Sequence, residues 1–241
     1  MNKTLTYGAL GMFALGLLVG CGSSLDEAAP ETRTFQLDGT TLSITTDNGA
    51  VELETGDVDE VDVTRWFDGD ADQGTWDLEG NTLTLDSSCG LLRTCDARYL
   101  VVVPDDVTVD IEGENSPVTA RNVSQALTIR TQNGEVTVTG ITGDLDLRTD
   151  NAAQQVTSSS PATLTSRTAN GDVEIALDEP PAELTATADN GRITVALPGD
   201  VAYDVEINTG NGHIDNELDI DPDSPHRIRI ETDNGDVALG S

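Results

Sequence analysis

Two cysteines six residues apart, Cys89 and Cys95, have the spacing of a small disulfide loop. Residues 1–20 have the pattern of an export signal, which would place the cysteines in an oxidising compartment and favour this bond. Closing so short a loop stabilises a fold by about 2 kcal/mol on the chain-entropy model. A metal site would need further ligands, and CGLLRTC has no histidine or additional cysteine beside it. We therefore predict a Cys89–Cys95 disulfide.

Alternating aspartates indicate a second chemistry, the binding of calcium. Asp68, Asp70 and Asp72 take the first, third and fifth positions of a calcium-loop pattern, and Glu79 takes the twelfth. The sixth position is Gln73, where that loop requires glycine, and no flanking helices are evident. Solvated carboxylates on the surface of an acidic chain are the competing interpretation. Apart from calcium, no cofactor is expected.

An export signal occupies residues 1–20. Lys3 precedes an apolar run from Leu5 to Val19 that is too short to span a bilayer comfortably. Its end, Leu18-Val19-Gly20-Cys21, resembles the lipobox of bacterial lipoproteins, which implies lipid on the Cys21 thiol and cleavage before it. An ordinary signal peptide with a chance cysteine is the alternative. We predict a lipidated cysteine and flexible linker over 21–34, and a lipid-anchored location on the extracytoplasmic face of the cell membrane.

The charge balance limits the partners. The chain carries 44 acidic residues against 12 lysines and arginines, for a formal net charge of −32. Such a field repels nucleic acid and anionic lipid headgroups, so neither is an expected partner. The membrane is then reached through the lipid anchor alone.

Groups for catalysis are few. His213 and His226 are the only histidines, and both are interpreted as surface residues. No nucleophile elbow, phosphate-binding glycine loop or paired-histidine metal motif occurs. Eleven arginines scattered along the sequence form a poor groove for acidic sugars, although a carboxylate pair for glycoside hydrolysis stays open. We predict that the protein is not an enzyme, with a carbohydrate-active β-helix enzyme as the alternative.

A recurring Asn-Gly pair organises the rest of the chain. The degenerate copies Asn115-Ser116 and Asn151-Ala152 complete a repeat of about 20 residues. Asparagine and glycine both tolerate φ > 0, which predicts a turn at each pair. The six intact pairs are Asn48-Gly49, Asn133-Gly134, Asn170-Gly171, Asn190-Gly191, Asn211-Gly212 and Asn234-Gly235.

Aliphatic residues keep the phase of this repeat. They stand six places before every asparagine and four places before most, as at Leu127 and Ile129, and they return three and five places after most, as at Val136 and Val138. Alternation with period two predicts half-buried strands. We predict an all-β fold, a single-stranded β-helix-like solenoid in which threonines and asparagines form ladders. An antiparallel sandwich or barrel of hairpins is the alternative, because local sequence fits either.

Two sections follow from this pattern. Residues 104–241 form the repeat, whereas residues 35–103 contain one Asn-Gly pair and most of the aromatic residues. A solenoid needs its end covered, so we predict an N-terminal capping section over 35–103.

Several segments resemble one bacterial family: DEVDVTRWF, NTLTLDSS, YLVVVPDDVTVDIEGENSPVTA, and the repeats NGEVTVTG and NGDVEIAL. The chain is similar over residues 35–241 to the putative-adhesin family of β-strand-repeat proteins, a domain of unknown function. The resemblance implies a β-helix-like domain at the cell envelope and carries over no catalytic residues. The resulting hypothesis is a non-catalytic surface scaffold that contacts an envelope polymer or protein. Calcium binding and envelope-stress sensing are the alternatives.

Overall fold

The computed structural model describes Leu25 and residues 28–68, 74–87 and 96–241. No helix in these described ranges has the length and apolar character needed to cross a membrane. Twenty-one β-strands occur there: β1 (Glu31–Phe35), β2 (Thr41–Thr46), β3 (Ala50–Gly56), β4 (Val61–Asp68), β5 (Thr75–Glu79), β6 (Thr82–Asp86), β7 (Asp96–Pro104), β8 (Thr108–Gly113), β9 (Val118–Arg121), β10 (Leu127–Thr131), β11 (Val136–Thr139), β12 (Leu145–Thr149), β13 (Gln154–Ser159), β14 (Thr163–Asn170), β15 (Val173–Leu177), β16 (Glu183–Asn190), β17 (Ile193–Ala196), β18 (Asp204–Asn211), β19 (Ile214–Asn216), β20 (Arg227–Asn234) and β21 (Val237–Gly240).

The strands form two long sheets that face each other across one core. One sheet has eleven strands and the other has ten, and from β8 onward each repeat places its first strand in the ten-stranded sheet and its second in the eleven-stranded sheet. We call such a pair of strands a coil. Neighbouring coils pair in parallel and in register, so that Leu127 lies opposite Leu145 and Val136 opposite Gln154. The parallel pairing confirms the predicted solenoid and excludes the hairpin arrangement for the repeats.

The coils do not stack in chain order. The coil of β2 and β3 lies between β6/β7 and β8/β9, and the last coil, β20 and β21, lies between β16/β17 and β18/β19. The segment 217–226 joins β19 to β20, so the chain returns as an inner coil after it. As a result β18 and β19, which come earlier in the sequence, form the terminal coil among the described strands.

Antiparallel strands cover the opposite end of the stack. β4 pairs with β7, β1 pairs with β4, and β5 pairs with β6. Trp76 is buried here in contact with two guanidinium groups, since the Cζ atoms of Arg33 and Arg65 lie 4.3 and 4.6 Å from its ring centroid. A cation over an aromatic face is attracted by the ring quadrupole, which stabilises this end of the core.

The aliphatic rows point into the core as their phase requires. Leu42, Leu127 and Leu145 are buried six places before their asparagines, and Ile44 and Ile129 are buried four places before theirs. The aliphatic rows become partly exposed to solvent only at the terminal coil of the described strands. There Val205 and Ile207 are half-buried and Ile214 is 40% exposed.

A polar pair interrupts these rows in the middle of the stack. Ser166 replaces the aliphatic residue four places before Asn170, and its Oγ donates a 2.6 Å hydrogen bond to Oε1 of the buried Gln154. Gln154 Nε2 donates in turn to Thr149 Oγ1 and to the Arg167 carbonyl, at 3.1 and 2.7 Å. All polar atoms of the glutamine amide therefore have partners inside the core, as a buried amide requires.

Breaking this pair is expected to destabilise the fold although the substituted side chain stays small. Ser166→Ala removes the donor to Gln154 Oε1, and leaving a buried acceptor unpaired lowers the free energy of unfolding by about 1–3 kcal/mol. The double variant Gln154→Val/Ser166→Leu replaces the pair with apolar groups and is expected to recover most of this loss, as measured by urea unfolding. Equal stability of Ser166→Ala and the wild type would contradict the assignment.

Tyr99 gives the covered end of the stack an alkaline sensitivity. Its side chain is buried and its hydroxyl donates to the Asp86 carbonyl at 3.3 Å. Burial raises the pKa of Tyr99 to about 12, an effect that Arg65 opposes and the Asp86 carboxylate reinforces. In the unfolded chain the phenol loses its proton near pH 10.

The free energy of unfolding is therefore expected to fall as the pH rises from about 10 to about 12, because the unfolded chain loses the phenolic proton first. Urea unfolding across this range measures the fall, and Tyr99→Phe should flatten it. Tyr203→Phe should reduce the fall as well, since burial and Asp200 also raise the pKa of Tyr203. A wild-type stability that is constant between pH 10 and 12 would rule out this role for the two phenols.

Candidate functional site

The corners of the coils carry a continuous row of hydrogen-bonded asparagines, which we call the asparagine ladder. Each of seven side-chain amides donates from Nδ2 to Oδ1 of an asparagine on a neighbouring coil, at 2.9–3.1 Å. The two degenerate copies of the repeat belong to it and so does the early coil of β2 and β3. The ladder runs in the order Asn48, Asn115, Asn133, Asn151, Asn170, Asn190, Asn234 and Asn211.

The threonines two places before the asparagines act differently from the predicted threonine ladder. Most of them turn inward and bond to the backbone of the corners. Thr149 Oγ1 donates to the Ala152 carbonyl at 2.8 Å, and Thr131 Oγ1 accepts from the Gly134 amide at 3.1 Å. They thereby satisfy polar backbone groups where the chain leaves one sheet for the other.

The chain passes from one sheet to the other at the Asn-Gly pairs, but without the φ > 0 that these two residue types tolerate. Among the described residues the non-glycines with positive φ are Asn122 and Ser158, and the glycines are Gly39, Gly80 and Gly140. The repeat glycines are required by close contact instead. A Cβ on Gly134 would lie 1.8 Å from the Ser116 carbonyl oxygen, and one on Gly191 would lie 1.9 Å from that of Gly171.

Removing one rung tests what the ladder contributes. Asn170→Ala deletes two ladder hydrogen bonds, one to Asn151 and one from Asn190, and is expected to lower the free energy of unfolding by about 1–2 kcal/mol. Asn211→Ala deletes a single bond at the end of the ladder, so its loss is expected to be about half as large. Equal losses of stability for the two variants in urea unfolding would show that the loss does not depend on the number of ladder hydrogen bonds removed.

A row of three arginines lies on the outer face of the ten-stranded sheet. Arg130, Arg148 and Arg167 stand three places before Asn133, Asn151 and Asn170, and they are direct neighbours across β10, β12 and β14. All three side chains are exposed. We call Arg130, Arg148 and Arg167 the arginine row.

Two open grooves flank Arg148 along this row. The first, of about 290 Å³, is lined by Arg130 and Arg148 together with Glu112, Gln132 and Asp150. The second, of about 200 Å³, includes Arg148, Arg167, Asp150, Thr187 and Asp189. The grooves meet at Arg148 and Asp150, so the face offers one shallow track across several strands.

The described residues hold only part of the predicted calcium site. Asp68 ends β4 in the eleven-stranded sheet and Glu79 ends β5 in the ten-stranded sheet, whereas Asp70 and Asp72 lie outside the described residues. Within the described ranges no group of three or more His, Cys, Asp or Glu side chains is arranged to hold a metal ion. Calcium binding stays a prediction.

The cysteines likewise stay predictions. Cys21, Cys89 and Cys95 lie outside the described residues.

The histidines differ from each other. His213 is exposed, as predicted. His226 is half-buried rather than on the surface, with its Nδ1 2.8 Å from the Pro181 carbonyl oxygen and its ring packed edge-on against Tyr203.

The fold and its ladder define a parallel, two-sheet β-solenoid. The chain belongs to the Toastrack DUF4097 family, whose sequence pattern matches residues 101–240. The family is one of unknown function, and the match confirms the resemblance drawn from the repeat motifs. No curated protein matches the chain.

Several solved structures are similar to this chain. A putative adhesin from Bacteroides fragilis is 11% identical, with a TM-score of 0.46, over 88% of this chain and 97% of that one. A putative lipid binding protein from Parabacteroides distasonis is 13% identical, with a TM-score of 0.42, over 88% and 95%. A putative cell adhesion protein from Clostridium sporogenes is 10% identical, with a TM-score of 0.39, over 88% and 99%.

Proposed function

We propose that this protein is a non-catalytic interaction module that is held by lipid on Cys21 at the extracytoplasmic face of the membrane. The observation that carries the proposal is the unbroken asparagine ladder, which ties eight coils into one stack. Such a stack buries a continuous core and presents long, flat faces of regularly spaced side chains. Repeat proteins use faces of this kind for binding.

The described surface also supports contact with polar rather than apolar partners. The outward positions of the strands are filled largely by threonine and by charged side chains, and the large apolar residues that are exposed in the described part are Ile214 and Ile220. The terminal coil and its connection carry both. A polymer or protein of the envelope that offers polar groups is the fitting class of partner.

Membrane attachment is tested by fractionation and by labelling with radioactive palmitate. The full-length chain is expected to incorporate label and to stay with the membranes after a high-salt wash, whereas Cys21→Ser should do neither. Cys89→Ser is the matched control, because it removes a cysteine outside the signal. Label in the Cys21→Ser variant would overturn the anchor.

Interaction is tested by pull-down of the intact lipoprotein from native membranes. Envelope polymers or proteins enriched with the wild type over a solenoid-disrupted Gly134→Ala variant are the expected result. Recovery of the same material with both chains would count against a role for the folded solenoid.

A further inference from the structure

We propose that the arginine row binds the anionic groups of a linear polymer, with carboxylate or phosphate oxygens seated between neighbouring guanidinium groups. The proposal rests on the proposed function as an interaction module and assigns to it one surface and one class of partner. A guanidinium group is planar and presents paired N–H donors that match the oxygens of carboxylate and phosphate groups.

The first argument is the pairing of the arginines. Eight of the ten arginines in the described part of the chain have a carboxylate oxygen within 4.0 Å, and Arg130 in the row is one of them, with Asp110 at 3.0 Å. Arg148 and Arg167 have no carboxylate at this distance among the described residues. In a chain with 44 acidic residues, two unpaired neighbouring arginines stand out.

The second argument is the stacking of like charges. Arg148 lies between Arg130 and Arg167 in a parallel register, on strands that are about 4.8 Å apart. Like charges directly opposite each other on a sheet destabilise it. Anionic groups between the guanidiniums would remove this repulsion and would receive hydrogen bonds from both sides.

The third argument is the surroundings of Arg167. Thr165 and Ala169 flank it on its own strand, and Thr187 is its neighbour on β16. Its backbone is held from within, because the buried Gln154 donates to its carbonyl at 2.7 Å. The residues that flank Arg148 in the same way are acidic: Asp146 lies on β12 and Asp150 follows its end. Asp150 and Asp189 also line the groove between Arg148 and Arg167. Neither carboxylate lies within 4.0 Å of these guanidinium groups, so this is the interval of the row in which both arginines are unpaired among the described residues.

The fourth argument concerns the length of the partner. The two grooves join into a track that crosses the strands, so positive charges repeat along it at the strand spacing of about 4.8 Å. A single ion would occupy one interval of this track, whereas an extended polymer with regularly spaced anionic groups would occupy both. Gln132 and Thr187 line the same grooves and offer hydrogen bonds to uncharged parts of such a chain.

Binding is measured with the full-length lipoprotein in detergent micelles at about 0.15 M salt, where charges more than about 8 Å apart are largely screened. The probes are polygalacturonate, polyphosphate, neutral dextran and inorganic phosphate. The wild type is expected to bind at least one of the two polyanions. Binding of polygalacturonate alone assigns carboxylate groups, binding of polyphosphate alone assigns phosphate groups, and binding of both assigns oxyanions in general.

Arg148→Gln/Arg167→Gln is expected to weaken polymer binding at least about tenfold, because it removes charged hydrogen bonds. The matched control is Arg192→Gln/Arg229→Gln, which removes two positive charges whose partners are Asp236 and Glu206, and it should change binding less than about threefold. Thermal unfolding separates binding from folding, since the row variant is expected to melt no lower than the wild type.

Four outcomes would overturn the proposal: no binding of either polyanion by the wild type, equal binding of dextran, equal binding of inorganic phosphate, or equal weakening in the two variants. Fractionation keeps these outcomes separate from the proposed function. A protein that stays anchored and still enriches partners in the pull-down, but binds no polyanion, retains its proposed function and loses only the arginine row as its contact surface.

Discussion

Replacing Gly134 by alanine is expected to lower the free energy of unfolding by more than about 3 kcal/mol, because the new methyl group meets backbone that cannot move aside. Its Cβ would lie 1.8 Å from the Ser116 carbonyl oxygen and 2.3 Å from the carbonyl carbon. Relief would require the two coils to separate, which would break the asparagine ladder between Asn115 and Asn133. Urea unfolding monitored by circular dichroism measures the loss.

Gly240→Ala is the matched control for this substitution. Gly240 lies in β21, and a Cβ there would have its nearest contact at 3.8 Å, with Glu217 Oε2. The control is expected to stay within about 0.5 kcal/mol of the wild type. If the Gly134→Ala protein were as stable as Gly240→Ala, the backbone of the neighbouring coil would have to be able to move away from the added methyl group, which would contradict the prediction.

Leu147→Ala is expected to lower the free energy of unfolding by about 2–5 kcal/mol, because truncation of a fully buried side chain leaves a cavity. Leu147 is 0% exposed and lies opposite Ile129 and Ser166 on the two neighbouring coils. Both neighbours are held in register, so little of the cavity can collapse. The measurement is again the urea midpoint and slope.

Val205→Ala provides the comparison at the end of the stack. Val205 keeps the same phase as the row of Leu127, but it lies on the terminal coil and is only half-buried. Its truncation is expected to lower the free energy of unfolding by no more than about 1 kcal/mol. Equal losses at Leu147 and Val205 would mean that the core is no better packed in the middle of the stack than at its end.

The strands and the two faces were predictable from the sequence because both depend on local periodicity. The alternation around Leu127 and Ile129 assigns inward positions, and the same phase recurs beside each asparagine. The recurrence of Asn-Gly also predicted the ladder, since equivalent residues of stacked repeats must become neighbours. Even the degenerate copies at Asn115 and Asn151 occupy their expected rungs.

The arginine row was missed although its signal is present. The arginines appear scattered in the chain as a whole, yet Arg130, Arg148 and Arg167 share one phase, three residues before consecutive asparagines. Equivalent positions of consecutive repeats become neighbours in a parallel, in-register sheet. The shared position of the three arginines therefore predicts that they form a row. That Arg148 and Arg167 lack carboxylate partners in the described structure could not have been predicted, because it depends on side-chain directions across strands.

The sequence by itself determined the all-β class, the repeat of about 20 residues and the identity of the buried rows, because these depend on spacing along one chain. Only the tertiary structure decided the order of the coils, with Asn234 between Asn190 and Asn211, since every repeat offers an equivalent edge to any other. It also decided why glycine follows the asparagines. The requirement comes from a neighbouring coil's carbonyl group rather than from local backbone torsion, and no local pattern contains that neighbour.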